Sequence, residues 1–155
     1  MNTPADRPTV LVVDDEPLVC NALKFLLDRF GFDTVMAQSG AEALECFKQK
    51  QFQLVITDFA MPRMSGVDLA TAIKAACPAQ PILMLTAYAE RFWSEPAPGV
   101  DKILSKPISL PKLQEAIKLV GTGTKTGNSI NLSVVSSCQK PPASWSQRQR
   151  LHPLS

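Results

Sequence analysis

Leu54-Val55-Ile56-Thr57-Asp58 is an apolar run that stops at a carboxylate, and the chain holds three counterparts. Val10-Leu11-Val12-Val13 stops at Asp14-Asp15, Ile82-Leu83-Met84-Leu85 at Thr86, and Ile103-Leu104-Ser105 at Lys106-Pro107. Runs this short and apolar, alternating with helical patterns, predict parallel strands buried on both faces. In an open α/β sheet, ligands bind in the crevice beyond the carboxyl ends of the strands. Three carboxylates, a hydroxyl and an ammonium are therefore expected to converge there. Each stop alone has a bland reading: Asp14-Asp15 caps a helix, Asp58 opens a turn, Thr86 ends a strand, Lys106 is a solvated lysine. Four such coincidences at four strand ends favour a single site.

Working outward, five strands are predicted near 9–13, 33–37, 54–57, 81–86 and 102–105. A first helix is expected from Pro17 to Phe30, with proline suited to its first turn. Val19, Ala22, Leu23, Leu26, Leu27 and Phe30 recur along it at three- and four-residue steps, giving one buried stripe. Ser39 with Glu42 three residues on has the capping-box pattern and opens a second helix. Val67, Leu69, Ala70 and Ile73 mark a third, and Leu110, Leu113, Ile117 and Val120 the last. Pro96, Pro98 and Gly99 leave room for only a short helix between Thr86 and Lys106, with irregular backbone around it. The fold class expected is α/β: a doubly wound five-stranded parallel sheet covered on both faces, with right-handed crossovers.

The 155 residues suit one domain with a real core. No run approaches the roughly 18 apolar residues of a membrane span, and the start lacks a signal-peptide pattern. Cys20, Cys46, Cys77 and Cys138 show no metal-ligand spacing, so reduced buried thiols and a cytoplasmic location are expected. The net charge of +2 conceals a division: residues 1–120 carry 12 basic and 14 acidic side chains, while 121–155 carry four basic and no acidic ones. The expected organisation is a flexible stretch at 1–8, a folded domain at 9–120 and a low-complexity, disordered basic tail at 121–155. The tail has no helix-turn-helix pattern, so direct DNA reading is not expected, nor is a membrane partner.

The chemistry of the site follows from its charges. Carboxylates about 6 Å apart repel by roughly 3 kcal/mol per pair at an effective dielectric near 20. Asp14, Asp15 and Asp58 must take up a proton or recruit cations. Lys106 is one cation, and a hard divalent ion is the natural second where only oxygen donors are offered. Mg²⁺ suits a site of few protein ligands better than Zn²⁺ or a caged Ca²⁺. A carboxylate can attack phosphorus to form an acyl phosphate, with Lys106 and the Thr86 hydroxyl meeting the transferring oxygens.

Asp58-Phe59-Ala60-Met61-Pro62-Arg63-Met64-Ser65-Gly66 resembles the D-x-x-M-P-x-x-x-G segment of the receiver domains of two-component response regulators. Val12-Val13-Asp14-Asp15-Glu16, Thr86-Ala87 and Lys106-Pro107 resemble that family's other blocks, in the same order, and the likeness covers residues 9–120. The resemblance implies a flavodoxin-like three-layer sandwich and a stand-alone phosphoacceptor. Asp58 would take its phosphoryl group from a sensor histidine kinase or a histidine phosphotransfer protein and signal to a downstream protein. It further implies Mg²⁺ on Asp14 (through water), Asp15, Asp58 and the Ala60 carbonyl. Lys106 would contact the phosphoryl group, Thr86 would turn inward toward it, and the Lys106–Pro107 bond would be cis. Family members read the switch through an aromatic residue three positions before the lysine; Ile103 stands there in this chain. Two other classes compete. A haloacid-dehalogenase-type phosphatase would want a second aspartate where Ala60 stands, and a phosphorylation-independent binding module would not need five polar site residues.

Overall fold

The computed structural model describes residues 7–121 apart from residue 96. The expected tail beyond 121 and most of the expected flexible start lie outside the described residues. The strands are β1 (Thr9–Val13), β2 (Asp33–Ala37), β3 (Leu54–Asp58), β4 (Ile82–Thr86) and β5 (Lys102–Ser105). The helices are α1 (Pro17–Arg29), α2 (Gly40–Gln49), α3 (Gly66–Ala76) and α4 (Leu110–Gly121), with a 3₁₀ helix at Ala89–Phe92. All strand pairs are parallel, in the order β2-β1-β3-β4-β5. This is the doubly wound, flavodoxin-like architecture expected.

Alternation along β1 divides the core into two layers. Leu11 and Val13 pack with Ala43, Leu44, Leu69 and Ile73 of α2 and α3 on one face. Val10 and Val12 pack with Leu23, Leu27, Leu113 and Ile117 of α1 and α4 on the other. Of the predicted stripe on α1, Leu23 and Leu27 are buried, Val19, Leu26 and Phe30 half-buried and Ala22 exposed, while Cys20, outside that stripe, is buried. No helix among the described residues is long and apolar enough to cross a membrane.

Burial on both faces holds for β1, β3 and β4, whose residues are all buried. It fails for β5, where Lys102, Ile103 and Leu104 are only half-buried. β5 is a sheet edge, and the single 3₁₀ turn beside it covers less than a full helix would. Cys20 and Cys46 are free thiols, as expected, though only Cys20 is buried and Cys46 is half-buried. Cys77, fully buried at the end of α3, departs from that expectation in being disulfide-bonded. Sequence spacing alone does not show which thiols meet in space. Cys138 lies outside the described residues.

Helix starts show how local chemistry sets the loops that carry the site. Ser39 accepts a hydrogen bond from the Glu42 N–H at 3.1 Å, but Glu42 reaches back to the Gln38 N–H at 2.9 Å rather than to Ser39. The reciprocal capping box belongs to α3 instead. Ser65 accepts from the Asp68 N–H, and the Asp68 carboxylate accepts from the Ser65 N–H, both at 3.1 Å. That box fixes the turn that begins at Asp58.

Candidate functional site

Register brings the polar strand ends together. Val13 pairs with Thr57, so Asp14 and Asp58 follow side by side from neighbouring strands. The order β2-β1-β3 makes this the point where chain direction across the sheet reverses, and a crevice opens there. Asp14 is 1% exposed and Asp58 8%, whereas Asp15 is exposed. One carboxylate oxygen from each lies within 4.8 Å of the other two. All donors are hard oxygens, a set that fits a divalent cation such as Mg²⁺.

The Lys106 Nζ enters this group from the end of β5. It lies 2.8 Å from Asp14 Oδ2 and 3.3 Å from Asp58 Oδ1. Asp14 Oδ1 also accepts from the Glu16 N–H at 2.9 Å, which orients its carboxylate. Burial pushes the Asp58 carboxyl above its ordinary value; the Lys106 charge opposes this, Asp14 adds to it, and the Phe59 backbone N–H bonded to Asp58 opposes it. For Lys106, burial pulls the ammonium down. The Asp14 hydrogen bond and the charges of Asp58 and Asp14 outweigh it, leaving the pKa raised.

A carboxyl whose folded-state pKa is raised costs stability once it ionises. That cost is absent below the unfolded value of 3.8 and grows as pH rises through the folded one. Without divalent cations, Asp58→Asn is therefore expected to raise Tm at pH 7, with the gain shrinking as pH falls through the carboxylate range. Thermal unfolding of both proteins from about pH 3.5 to about pH 8 measures it.

Thr86 is fully buried at the end of β4 and sits at the same edge. Its Oγ1 accepts from the Tyr88 N–H at 3.0 Å, and its carbonyl accepts from the Lys106 N–H at 2.9 Å. The hydroxyl oxygen is thus held by its own turn, and among the described residues no hydrogen bond joins it to the carboxylates. Ala60 is exposed in the turn after β3, two residues past Asp58. The Lys106–Pro107 peptide is cis.

Gly66 is a site residue whose role the sequence concealed. Its N–H donates to the Phe59 carbonyl at 2.9 Å, closing the turn. A Cβ there would collide with the Asp58 carbonyl oxygen and stand 3.1 Å from the Phe59 Cα. Glycine is required by close approach of α3 to the backbone of Asp58, and only the final position of the nine-residue segment hinted at it.

The family model for the response regulator receiver domain matches residues 10–118. The chain is 36% identical over 115 residues to the transcriptional regulatory protein ZraR of Escherichia coli K12, covering 73% of this chain and 26% of that protein. It is 36% identical over 124 residues to the response regulator protein PilR of Pseudomonas aeruginosa, covering 79% of this chain and 27% of PilR. The chain thus spans about a quarter of the length of these relatives. Among solved structures, the response regulator TrrA of Thermotoga maritima, in complex with Mg²⁺ and beryllium fluoride, aligns with TM-score 0.68 at 33% identity. It covers 73% of this chain and 98% of that one. A response regulator receiver protein from Pseudomonas putida aligns with TM-score 0.66 at 34% identity, covering 73% and 97%. The match over nearly all the described residues, on the fold and strand-end site already seen, makes this chain a member of the response regulator receiver domain family.

Proposed function

We propose that the chain is a phosphoacceptor switch in which Asp58 takes a phosphoryl group from the phosphohistidine of a sensor histidine kinase or a histidine phosphotransfer protein. The observation that carries this reading is the Lys106 ammonium, held 2.8 Å from Asp14 and 3.3 Å from Asp58 beside a third carboxylate. A structural ion pair needs one carboxylate; this lysine serves two, one of them at the mouth of the crevice.

The Asp58 carboxylate oxygen attacks phosphorus, the P–N bond to the donor imidazole breaks, and that nitrogen takes up a proton. The products are an acyl phosphate and a free histidine. Lys106 has three N–H donors; two face Asp14 and Asp58, and the ammonium stands where phosphoryl charge accumulates. Asp14 holds Lys106 in place, and the Glu16 N–H holds Asp14. Asp14, Asp15, Asp58 and the Ala60 carbonyl would hold Mg²⁺, which supplies charge neutralisation to the phosphoryl oxygens when bound. Thr86 would turn to donate its hydroxyl proton to a phosphoryl oxygen, loosening the bond it accepts from the Tyr88 N–H and displacing the turn that follows β4. With Ala60 where an acid–base carboxylate would stand, the chain turns over no external phosphoester. Its output within residues 7–121 is a change in protein contacts, in the cytoplasm where such donors act.

Mg²⁺ with beryllium fluoride is expected to raise Tm in the wild type. A ligand at a hundred times its Kd adds about 2.7 kcal/mol of stability. Asp15→Asn should need roughly tenfold or more Mg²⁺ for the same shift, as for loss of one charged ligand. Equal Mg²⁺ requirements in the two proteins would remove the metal from this reading.

A further inference from the structure

The half-buried position of Ile103 leaves the switch without an aromatic group on β5, yet aromatic groups join the site to the surface elsewhere. Phe59 directly follows Asp58, and its backbone N–H helps to favour the ionised Asp58 carboxylate. Its ring meets Phe92 edge-on, with centroids 5.0 Å apart and planes at 83°. The Arg91 guanidinium lies over the same ring, 5.4 Å from its centroid. Arg91 and Phe92 are the last two residues of the 3₁₀ helix, and the next residue, Trp93, is 84% exposed. The same turn is tied to Thr86 at its start, through the Tyr88 N–H, and the Arg91 N–H donates to the Tyr88 carbonyl at 3.0 Å. One short segment is thus held at both ends by groups that touch the site.

We propose that Phe59, Phe92 and Arg91 form the link that passes the state of Asp58 to residues 88–93, making the surface at Trp93 the output element in place of Ile103. This rests on the phosphoacceptor reading given above. Phosphorylating Asp58 turns one carboxylate oxygen into the bridging oxygen of an acyl phosphate and adds roughly −1.5 to −2 charge. The group directly preceding Phe59 thereby gains bulk and charge, so the Phe59 ring shifts against Phe92. Arg91, held on the Phe59 face by a cation–π contact, is drawn by the new charge in the same step. Both motions act on the 3₁₀ helix, a single turn with no buried residue to anchor it. Ala89 and Trp93 form one wall of an open groove of about 380 Å³ with Ile103 in its lining, so movement of the segment changes the groove's shape. Phe59, Phe92 and Arg91 are positioning residues: they act through the turn, not on phosphorus.

The full chain with Trp145→Phe leaves Trp93 as the single tryptophan. Its fluorescence is read on adding Mg²⁺ and beryllium fluoride, beside intact mass after Mg²⁺ and acetyl phosphate. The background protein is expected to take up one phosphoryl group and to change Trp93 emission. Phe92→Leu and the exposed Arg91→Gln should take up phosphoryl as the background does, which also shows that they fold. Their Trp93 response should fall about fivefold or more, the lower end of ordinary coupling. Ile103→Ala should keep the response. A response that survives in both Phe92→Leu and Arg91→Gln, or disappears with Ile103→Ala, overturns the proposal. A background protein that takes up phosphoryl with a silent Trp93 overturns it alone. One that takes up none from acetyl phosphate or from any phosphohistidine donor overturns the phosphoacceptor reading, and this proposal falls with it.

Discussion

Gly66→Ala is expected to destabilise the domain by roughly 1–3 kcal/mol and to slow phosphoryl uptake about tenfold to a hundredfold. The added Cβ meets backbone, the Asp58 carbonyl and the Phe59 Cα, and neither can rotate away as a side chain would. The turn must open, the Gly66 N–H to Phe59 carbonyl bond of 2.9 Å lengthens, and Asp58 moves relative to Asp14 and Lys106. Small displacements of a reacting group carry large rate penalties, so uptake should suffer more than stability alone explains. Gly31→Ala is the control. Its φ of +89° makes alanine strained there, but nothing lies within 4 Å of its Cβ, and the position is at the far end of α1. It should cost stability by about 1–2 kcal/mol while leaving uptake unchanged. Chemical denaturation and the rate of mass gain separate the two.

Lys106→Met is expected to cost roughly 3 kcal/mol in the absence of Mg²⁺, the lower part of the range for breaking a buried ion pair. The Asp14 and Asp58 side chains are only 2% and 9% exposed, so losing their cation leaves two close carboxylates with little solvent to screen them. Saturating Mg²⁺ should restore much of the loss, since it neutralises the same charges. The pH dependence has a fixed sign. Lys106 has a raised pKa, so its contribution is complete below the unfolded value of 10.5 and is lost as pH rises through the folded one. On the alkaline side the gap between wild type and variant should therefore close only as pH rises through the raised Lys106 value, and in acid it should close as the carboxylates take up protons. Switching should be lost even where Mg²⁺ restores stability, because no ammonium remains to meet the phosphoryl group. Trp93 fluorescence with beryllium fluoride distinguishes that from unfolding.

Much of this site was legible because strand ends announce themselves. An apolar run that stops at Asp14, Asp58, Thr86 or Lys106 gives both the strand and the polar group at its mouth, and parallel pairing does the rest. The short helix between Thr86 and Lys106 was legible too, because Pro96, Pro98 and Gly99 exclude a long one. What escaped depended on neighbours distant in sequence. The half-exposed face of β5 follows from how little the 3₁₀ turn covers, which the apolar run at Ile103-Leu104 does not reveal. Glu42 bonds Gln38 instead of Ser39, a choice of one residue that capping patterns do not resolve. Ser65 and Asp68 had the pattern of a capping box, yet their meaning depends on the turn from Asp58 that they close. The contacts of Arg91 over the Phe59 ring and of Phe92 edge-on to it join residues more than thirty positions apart, and no periodicity links them.

The central claim is that Asp58 accepts a phosphoryl group at a site completed by a divalent cation. Intact mass after incubation with acetyl phosphate, with and without Mg²⁺ and beside Asp58→Asn, tests it most directly. The account predicts one labile phosphoryl group on the wild type in the presence of Mg²⁺, and none on the variant or without the metal. A gain that persists in Asp58→Asn, or a wild type that binds Mg²⁺ and beryllium fluoride yet never gains mass from any phosphohistidine or acyl phosphate donor, would contradict it.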